Sequence, residues 1–169
     1  MKTIKIILLT IIIFIILLSF AACSDNNKAN LEKNFDNFKF TLNFGCDDGI
    51  NCIDIYNNKF TKDLIPGTET IDFIIPEDKM REIYEAFLEY DIAGLPDDVS
   101  GVDSMRPKYT YVLKYTWGNE TRTIICDAVN TYKAADTHLR LAKFADMITE
   151  YIYSTDEYQN MSPAKGGYC

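Results

Sequence analysis

From Phe38 to Phe44 the chain reads Phe-Lys-Phe-Thr-Leu-Asn-Phe, apolar and polar in strict alternation. Successive side chains of a strand point to opposite faces, so this stretch specifies a strand with one buried and one wet face. A sheet that keeps one face in water is characteristically antiparallel. The rest of the chain can be read outward from this ribbon.

Asp47-Asp48-Gly49 forms a turn, and Ile53 and Ile55 mark a second strand. Asn57-Asn58 is a tight turn that tolerates left-handed backbone. Phe60 to Ile65 is a third strand, ended by Pro66-Gly67, and Ile71, Phe73 and Ile75 alternate in a fourth. Short turns between four consecutive strands predict an antiparallel meander. Pro76-Glu77-Asp78 then opens a helix, with proline and two acids suited to its first turn. Met80, Ile83, Tyr84, Phe87 and Leu88 fall on one face of it, and Glu82, Glu85 and Glu89 on the other. Gly94-Leu95-Pro96 ends this element, and 97–107 reads as a polar loop. Tyr109, Tyr111, Leu113, Tyr115 and Trp117 share one face of a fifth strand, Gly118-Asn119 is a hairpin turn, and 121–127 returns as a sixth. Ala134, His138, Leu141, Ala145, Ile148 and Ile152 carry a second helix from about Tyr132 to Tyr153, followed by a polar tail. The order β-β-β-β-α-β-β-α predicts an α+β fold, an antiparallel sheet with two helices packed on one face as a two-layer sandwich.

The N-terminus is of another kind. Lys2 and Lys5 precede an almost wholly apolar run from Ile6 to Phe20. A charged start, an apolar run and a small-residue exit are the parts of a secretory signal. The run is short for a spanning helix, which wants about 20 apolar residues. Its exit, Ala21-Ala22-Cys23, resembles the lipobox of the bacterial lipoprotein signal, with Phe20 where that signal has Leu or another aliphatic residue. The resemblance implies cleavage before Cys23, a diacylglyceryl thioether on its sulfur, and acylation of the new amino group. Two or three chains hold a protein at a bilayer far better than one, since each buried methylene contributes about 0.8 kcal/mol. The expected organisation is therefore a signal peptide over 1–22, a lipidated tether over 23–36, rich in Asn, Lys and Asp, and one extracytoplasmic domain over 37–169.

Charge narrows the partners. The whole chain has 17 basic and 25 acidic residues, and removing the signal leaves a net charge of −10. Such a surface argues against nucleic acid and against docking on anionic lipid head groups, so the membrane is reached through lipid on Cys23. After the anchor, four cysteines remain, Cys46, Cys52, Cys126 and Cys169. An even number outside the cytoplasm suggests two disulfides, and three pairings are possible. Cys46–Cys52 with Cys126–Cys169 is the favoured one. The first would close a hairpin loop and the second would tie the last residue to a strand end. Cys52 is out of phase with Ile53 and Ile55, which a bulge at Gly45 or Gly49 could repair. The lack of a C-x-x-C pair and the single histidine speak against a metal site.

No catalytic constellation stands out. His138, the only histidine, lies on the apolar stripe of its helix and reads as structural. Cys126 is the nearest nucleophile in sequence but is expected to be oxidised, and Asp136, two residues away, does not face the ring. Asp97, Asp98, Ser100 and Asp103 make an acidic loop without the alternation of an EF-hand, and they read as turn residues like Asp47-Asp48-Gly49. Tyr109, Tyr111, Tyr115 and Trp117 are spaced as core beneath helices rather than as a stacking platform. Phosphate loops, dinucleotide fingerprints and nucleophile elbows are absent, and no cofactor is implied. What remains is the wet side of the sheet: Lys39, Thr41, Asn43, Asp72, Thr110, Lys114 and Thr116, joined by Val112, form the expected binding face.

Residues 55–92, with Phe60-Thr61-Lys62-Asp63-Leu64-Ile65 ahead of a strand and Ile83-Tyr84 in the helix, and the closing Gly166-Gly167-Tyr168, resemble small lipoproteins of low-GC bacteria that have no assigned activity. That resemblance implies a single extracytoplasmic domain and no particular chemistry. The expected function is that of a non-enzymatic module binding an envelope protein or polymer. A small-ligand or ion-binding lipoprotein with the 97–103 loop at its rim is the alternative, and an envelope hydrolase comes third.

Overall fold

The computed structural model describes residues 34–46, 51–100, 109–127 and 135–166. The chain divides into two units, Met1–Asn37 and Phe38–Cys169. Only a few residues of the first are described, with a helical turn over 34–36. The second unit runs β1 (Lys39–Cys46), β2 (Asn51–Asp54), β3 (Lys59–Asp63), β4 (Thr68–Asp72), α1 (Glu77–Glu89), β5 (Tyr109–Trp117), β6 (Glu120–Cys126), α2 (Asp136–Ser154) and α3 (Asp156–Gln159). A 3-10 turn, Ile92–Gly94, follows α1. The strands form one six-stranded sheet in the order β4-β3-β2-β1-β5-β6, every neighbouring pair antiparallel. This is the α+β two-layer sandwich that the alternation predicts.

The register explains why the sheet holds one arrangement. Ile124, Leu113, Leu42, Ile53, Phe60 and Ile71 lie opposite one another in a single row across all six strands. The first five are fully buried. A slip of one residue in any strand would turn its member of the row into water, at about 1.5–3 kcal/mol for each large side chain exposed. Both long helices cover this face. Phe87 of α1 meets Tyr115 of β5 edge-on with ring centres 5.0 Å apart, and Phe144 of α2 at 6.1 Å. Tyr153 of α2 stands against Phe44 of β1, and Tyr158 of α3 against Phe60 of β3. The exposed side of α1 carries Glu82, Glu85 and Glu89, as its period requires.

Turns follow their residues. Asn58 has φ +53 between β2 and β3, and Gly118 has φ +61, the positive value that two-residue hairpin turns ask of that position. The fourth strand differs from its expected place. Pairing begins at Thr68, because the Leu64 N–H donates to the Gly67 carbonyl and closes a tight turn. It ends at Asp72, opposite the first residue of β3. Phe73 and Ile75 continue as extended chain and are still buried.

The sheet's β6 edge is covered by a segment that reads as plain loop in the sequence. The Val99 N–H donates to the Ile125 carbonyl, and the Ile125 N–H to the Asp97 carbonyl, both at 2.8 Å. Arg122 pins the approach to this strap, donating to the Ala93 carbonyl at 2.7 Å, the Leu95 carbonyl at 2.8 Å and the Asp97 carboxylate. The C-terminal tail is held by its backbone: the Ser162 N–H donates to Glu69, the Lys165 N–H to the Leu64 carbonyl, and Met161 is buried. Among the described residues no helix is long and apolar enough to cross a membrane.

Candidate functional site: the open face of the sheet

Side chains directly opposite in antiparallel strands share a face. Lys39 lies opposite Thr116, Thr41 opposite Lys114, Asn43 opposite Val112, and Gly45 opposite Thr110. Asp72 lies opposite Lys59, which is opposite Asp54, which is opposite Thr41. All seven residues expected on the wet face therefore stand together on the side turned away from α1 and α2. Thr110 is the least accessible of them, buried at the sheet's end where its hydroxyl donates to Asp127 at 3.0 Å.

The charges on this face fall into two groups. On the β2–β4 side they are committed. Lys59 and Asp72 form an ion pair at 2.5 Å, and Asp54 accepts hydrogen bonds from Tyr56 N–H, Asn57 N–H and the Asn57 amide. On the β1–β5–β6 side stand Lys39 and Lys114, both exposed and with no carboxylate in ion-pair range among the described residues. Hydroxyl groups connect the ground between them. Tyr56 OH and Thr116 Oγ1 are hydrogen-bonded at 2.7 Å, and Thr116 Oγ1 and Thr121 Oγ1 at 2.9 Å. The Lys114 ammonium also lies 5.7 Å from the centre of the Tyr56 ring. Tyr56 and Thr121 were not marked by the sequence pattern. Tyr56 sits in a turn with no period, and Thr121 is the plain continuation of the β6 alternation.

The two layers differ in charge. The three helices carry ten acidic against four basic residues, whereas the six strands carry five of each. The excess acid of the described domain is thus concentrated on the side away from the open face and in the loops.

The other candidates resolve differently. Cys126 and His138 meet in the interior, with Sγ 3.4 Å from Nδ1. The same Nδ1 is 3.1 Å from the Val99 carbonyl oxygen, which can only accept, so Nδ1 carries the proton and the sulfur is a second acceptor for it. Nε2 is buried without a hydrogen-bond partner among the described residues. Burial and the nearby Asp127 and Asp98 carboxylates push the Cys126 thiol up to about 12. A nucleophilic cysteine needs its thiolate stabilised, and this environment does the opposite.

Among the described residues there is no disulfide. Cys46, Cys52 and Cys126 are thiols. Cys46 shares the helix-side phase of Phe44, while Cys52 lies opposite Asn43 on the open face, so the sheet itself separates them. The bulge needed to repair the phase does not occur within the paired residues. Burial, with the Asp54 carboxylate beside it, raises the Cys52 thiol to about 11. Cys169 lies outside the described residues, as do Cys23, Asp47, Asp48 and Asp103.

Tyr111 and Tyr115 are buried beneath the helices, and Trp117 Nε1 donates to Tyr84 OH at 3.1 Å, so the aromatic stripe is core. Tyr111 donates its hydroxyl to Asp146, and burial together with that bond pushes the phenol's pKa far above the ordinary tyrosine value. In the acidic loop, Asp97 is engaged by Arg122, and hydrogen bonds from the Ser100 side chain and N–H hold the Asp98 carboxyl below its ordinary range. Asp97 and Asp98 therefore serve local geometry.

No protein-family model matches the chain, and no curated protein or solved structure matches it.

Proposed function

We propose that this chain is a lipid-anchored, non-enzymatic binding module on the outer side of the cell membrane. Cys23 is its point of lipid attachment, residues 23–36 are its tether, and an envelope protein or polymer is its partner. The observation that carries the reading is the gathering of Lys39, Thr41, Asn43, Asp72, Thr110, Lys114 and Thr116 on the face opposite both helices, with Lys39 and Lys114 uncommitted. The interior Cys126–His138 pair supports it from the other side. An imidazole that donates to a backbone carbonyl and a thiol raised by burial are placed as core members.

Two variants test the two halves of the proposal. With Cys23→Ala, lipid labelling is lost and the protein moves from the membrane to the soluble fraction. Retained labelling would remove the anchor from the account. With Thr41→Glu/Thr116→Glu, co-sedimentation with washed envelopes falls at least about fivefold, whereas Glu85→Lys on the helix layer leaves it unchanged. If all three proteins sediment alike, the open face is not the binding surface. Circular dichroism of the double variant guards against misfolding, since exposed sheet substitutions span about 1 kcal/mol.

A further inference from the structure

Within that reading, we infer that the β1–β5–β6 part of the open face is a phosphate-binding patch, and that its partner is a thin phosphate-bearing polymer. Lys39 and Lys114 would hold the charge, and the hydroxyl chain of Tyr56, Thr116 and Thr121 would donate its one free proton beside them.

Three observations converge. The first is the choice of cations. Of the basic residues in the described ion pairs, Arg122 serves Asp97, Arg140 serves Asp91 and Asp136, Lys79 serves Glu82, Arg81 serves Glu77 and Lys59 serves Asp72. Lys39 and Lys114 stand apart from these pairs, and they are diagonal neighbours in the β1–β5 register. That places them about 7–8 Å apart at their bases, close enough to share one phosphate or bridge two in succession. Lysine is a compact point charge and binds phosphate as one. The second is the run of hydroxyls from Tyr56 through Thr116 to Thr121, at 2.7 and 2.9 Å, which lies in the same row as Lys39. Three hydroxyls linked in line leave one proton free to donate to an anion, and the nearest strand carboxylate, Asp54 opposite Thr41, is occupied by the Tyr56 N–H, the Asn57 N–H and the Asn57 amide. Asp127, at the far end, is engaged by Thr110.

The third is the separation of charge between layers. Ten of the domain's acids lie on the helices, across the sheet from the patch. Fields from exposed charges fade over about 8–10 Å at physiological ionic strength. A thin chain lying on the β1–β5–β6 part of the open face therefore meets the two lysines, with Asp54, Lys59 and Asp72 beyond them engaged by neighbours within the sheet. An anionic bilayer is a plane and would meet the flanks of the domain as well, with its net acidity, so the geometry favours the polymer.

The test uses the full chain in neutral-detergent micelles, with long-chain inorganic polyphosphate as the probe. Polyphosphate is expected to bind, with log Kd rising by about one to two per decade of salt, as two neutralised phosphates require. Lys39→Gln/Lys114→Gln should weaken binding at least about fivefold, while Lys143→Gln/Lys165→Gln should leave it unchanged. No binding, or equal loss in both double variants, overturns the inference. Inorganic phosphate that competes as well per phosphate as the polymer would make this a single-phosphate site and overturn the polymer. Displacement of polyphosphate by phosphatidylglycerol added to the micelles would turn the face toward the membrane and overturn it likewise. If polyphosphate fails to bind but Thr41→Glu/Thr116→Glu still abolishes envelope sedimentation, the binding-module reading stands and only the phosphate assignment falls.

Discussion

Cys126 occupies the inner end of β6, fully buried, with His138 Nδ1 against its sulfur. Its ordinary pKa of 9.0 rises to about 12 in the fold. A folded value above the unfolded one means that the contribution to stability is complete below about pH 9 and is lost as pH rises toward 12. Raised tyrosines, Tyr109 and Tyr111 among them, act in the same direction. Stability followed by urea unfolding should therefore hold level through neutral pH and fall above pH 9. At pH 8, iodoacetamide should leave Cys126 unmodified in the native protein and label it fully in urea, as peptide mass analysis would report. Rapid native labelling would mean that the thiol is open to solvent and its environment misread. The sequence had already placed His138 on an apolar stripe. It could not show that Cys126 faces the same interior point, because the two residues come from different elements and meet only through the fold.

At the scale of elements, the strap over 97–99 and the arginine that holds it form the least expected part of the structure. Arg122 donates to two carbonyls and one carboxylate across a gap of 25 to 29 residues. Its planar fork suits three acceptors at once. Arg122→Ala should cost about 2 kcal/mol in chemical denaturation, within the range for hydrogen bonds of a charged group. It should also speed amide exchange at Val99 and Ile125, whose N–H groups bond strap to strand. Arg122→Lys should recover part of the stability only. Unchanged exchange in the alanine variant would show that the strap holds without its clamp. The strands and hairpins were legible because period-two alternation and turn residues are local signals, as Phe38–Phe44 and Gly118-Asn119 illustrate. The strap was not, since Pro96-Asp97-Asp98-Val99 has no alternation and borrows its extended form from the β6 edge. The open face was legible for the same reason as the strands. The Cys46–Cys52 pairing failed on it: the phase that put Asn43 outward also put Cys52 outward, away from Cys46.

For the molecule as a whole, the position of β1 is the feature with the widest reach. It is third from one edge by β6 and fourth from the other by β4, and it pairs with β2 on one side and β5 on the other. Its partners on the β2 side follow almost at once, whereas Cys46 and its partner Tyr109 are more than sixty residues apart. Loop closure over such a distance slows the pairing that depends on it. A chain delivered from its N-terminus therefore builds in two stages: first a meander with the whole outer side of β1 bare, then the closing hairpin of β5 and β6. On that order of events, the half-built sheet would offer the bare edge of β1 to another strand. Pulsed hydrogen exchange during refolding should protect β3 amides before those of β5 that bond to β1. Simultaneous protection would mean a single nucleus spanning both halves. If pairing follows that order, the domain would stay unfinished until residues 109–117 arrive, long after the first strand is ready to receive them.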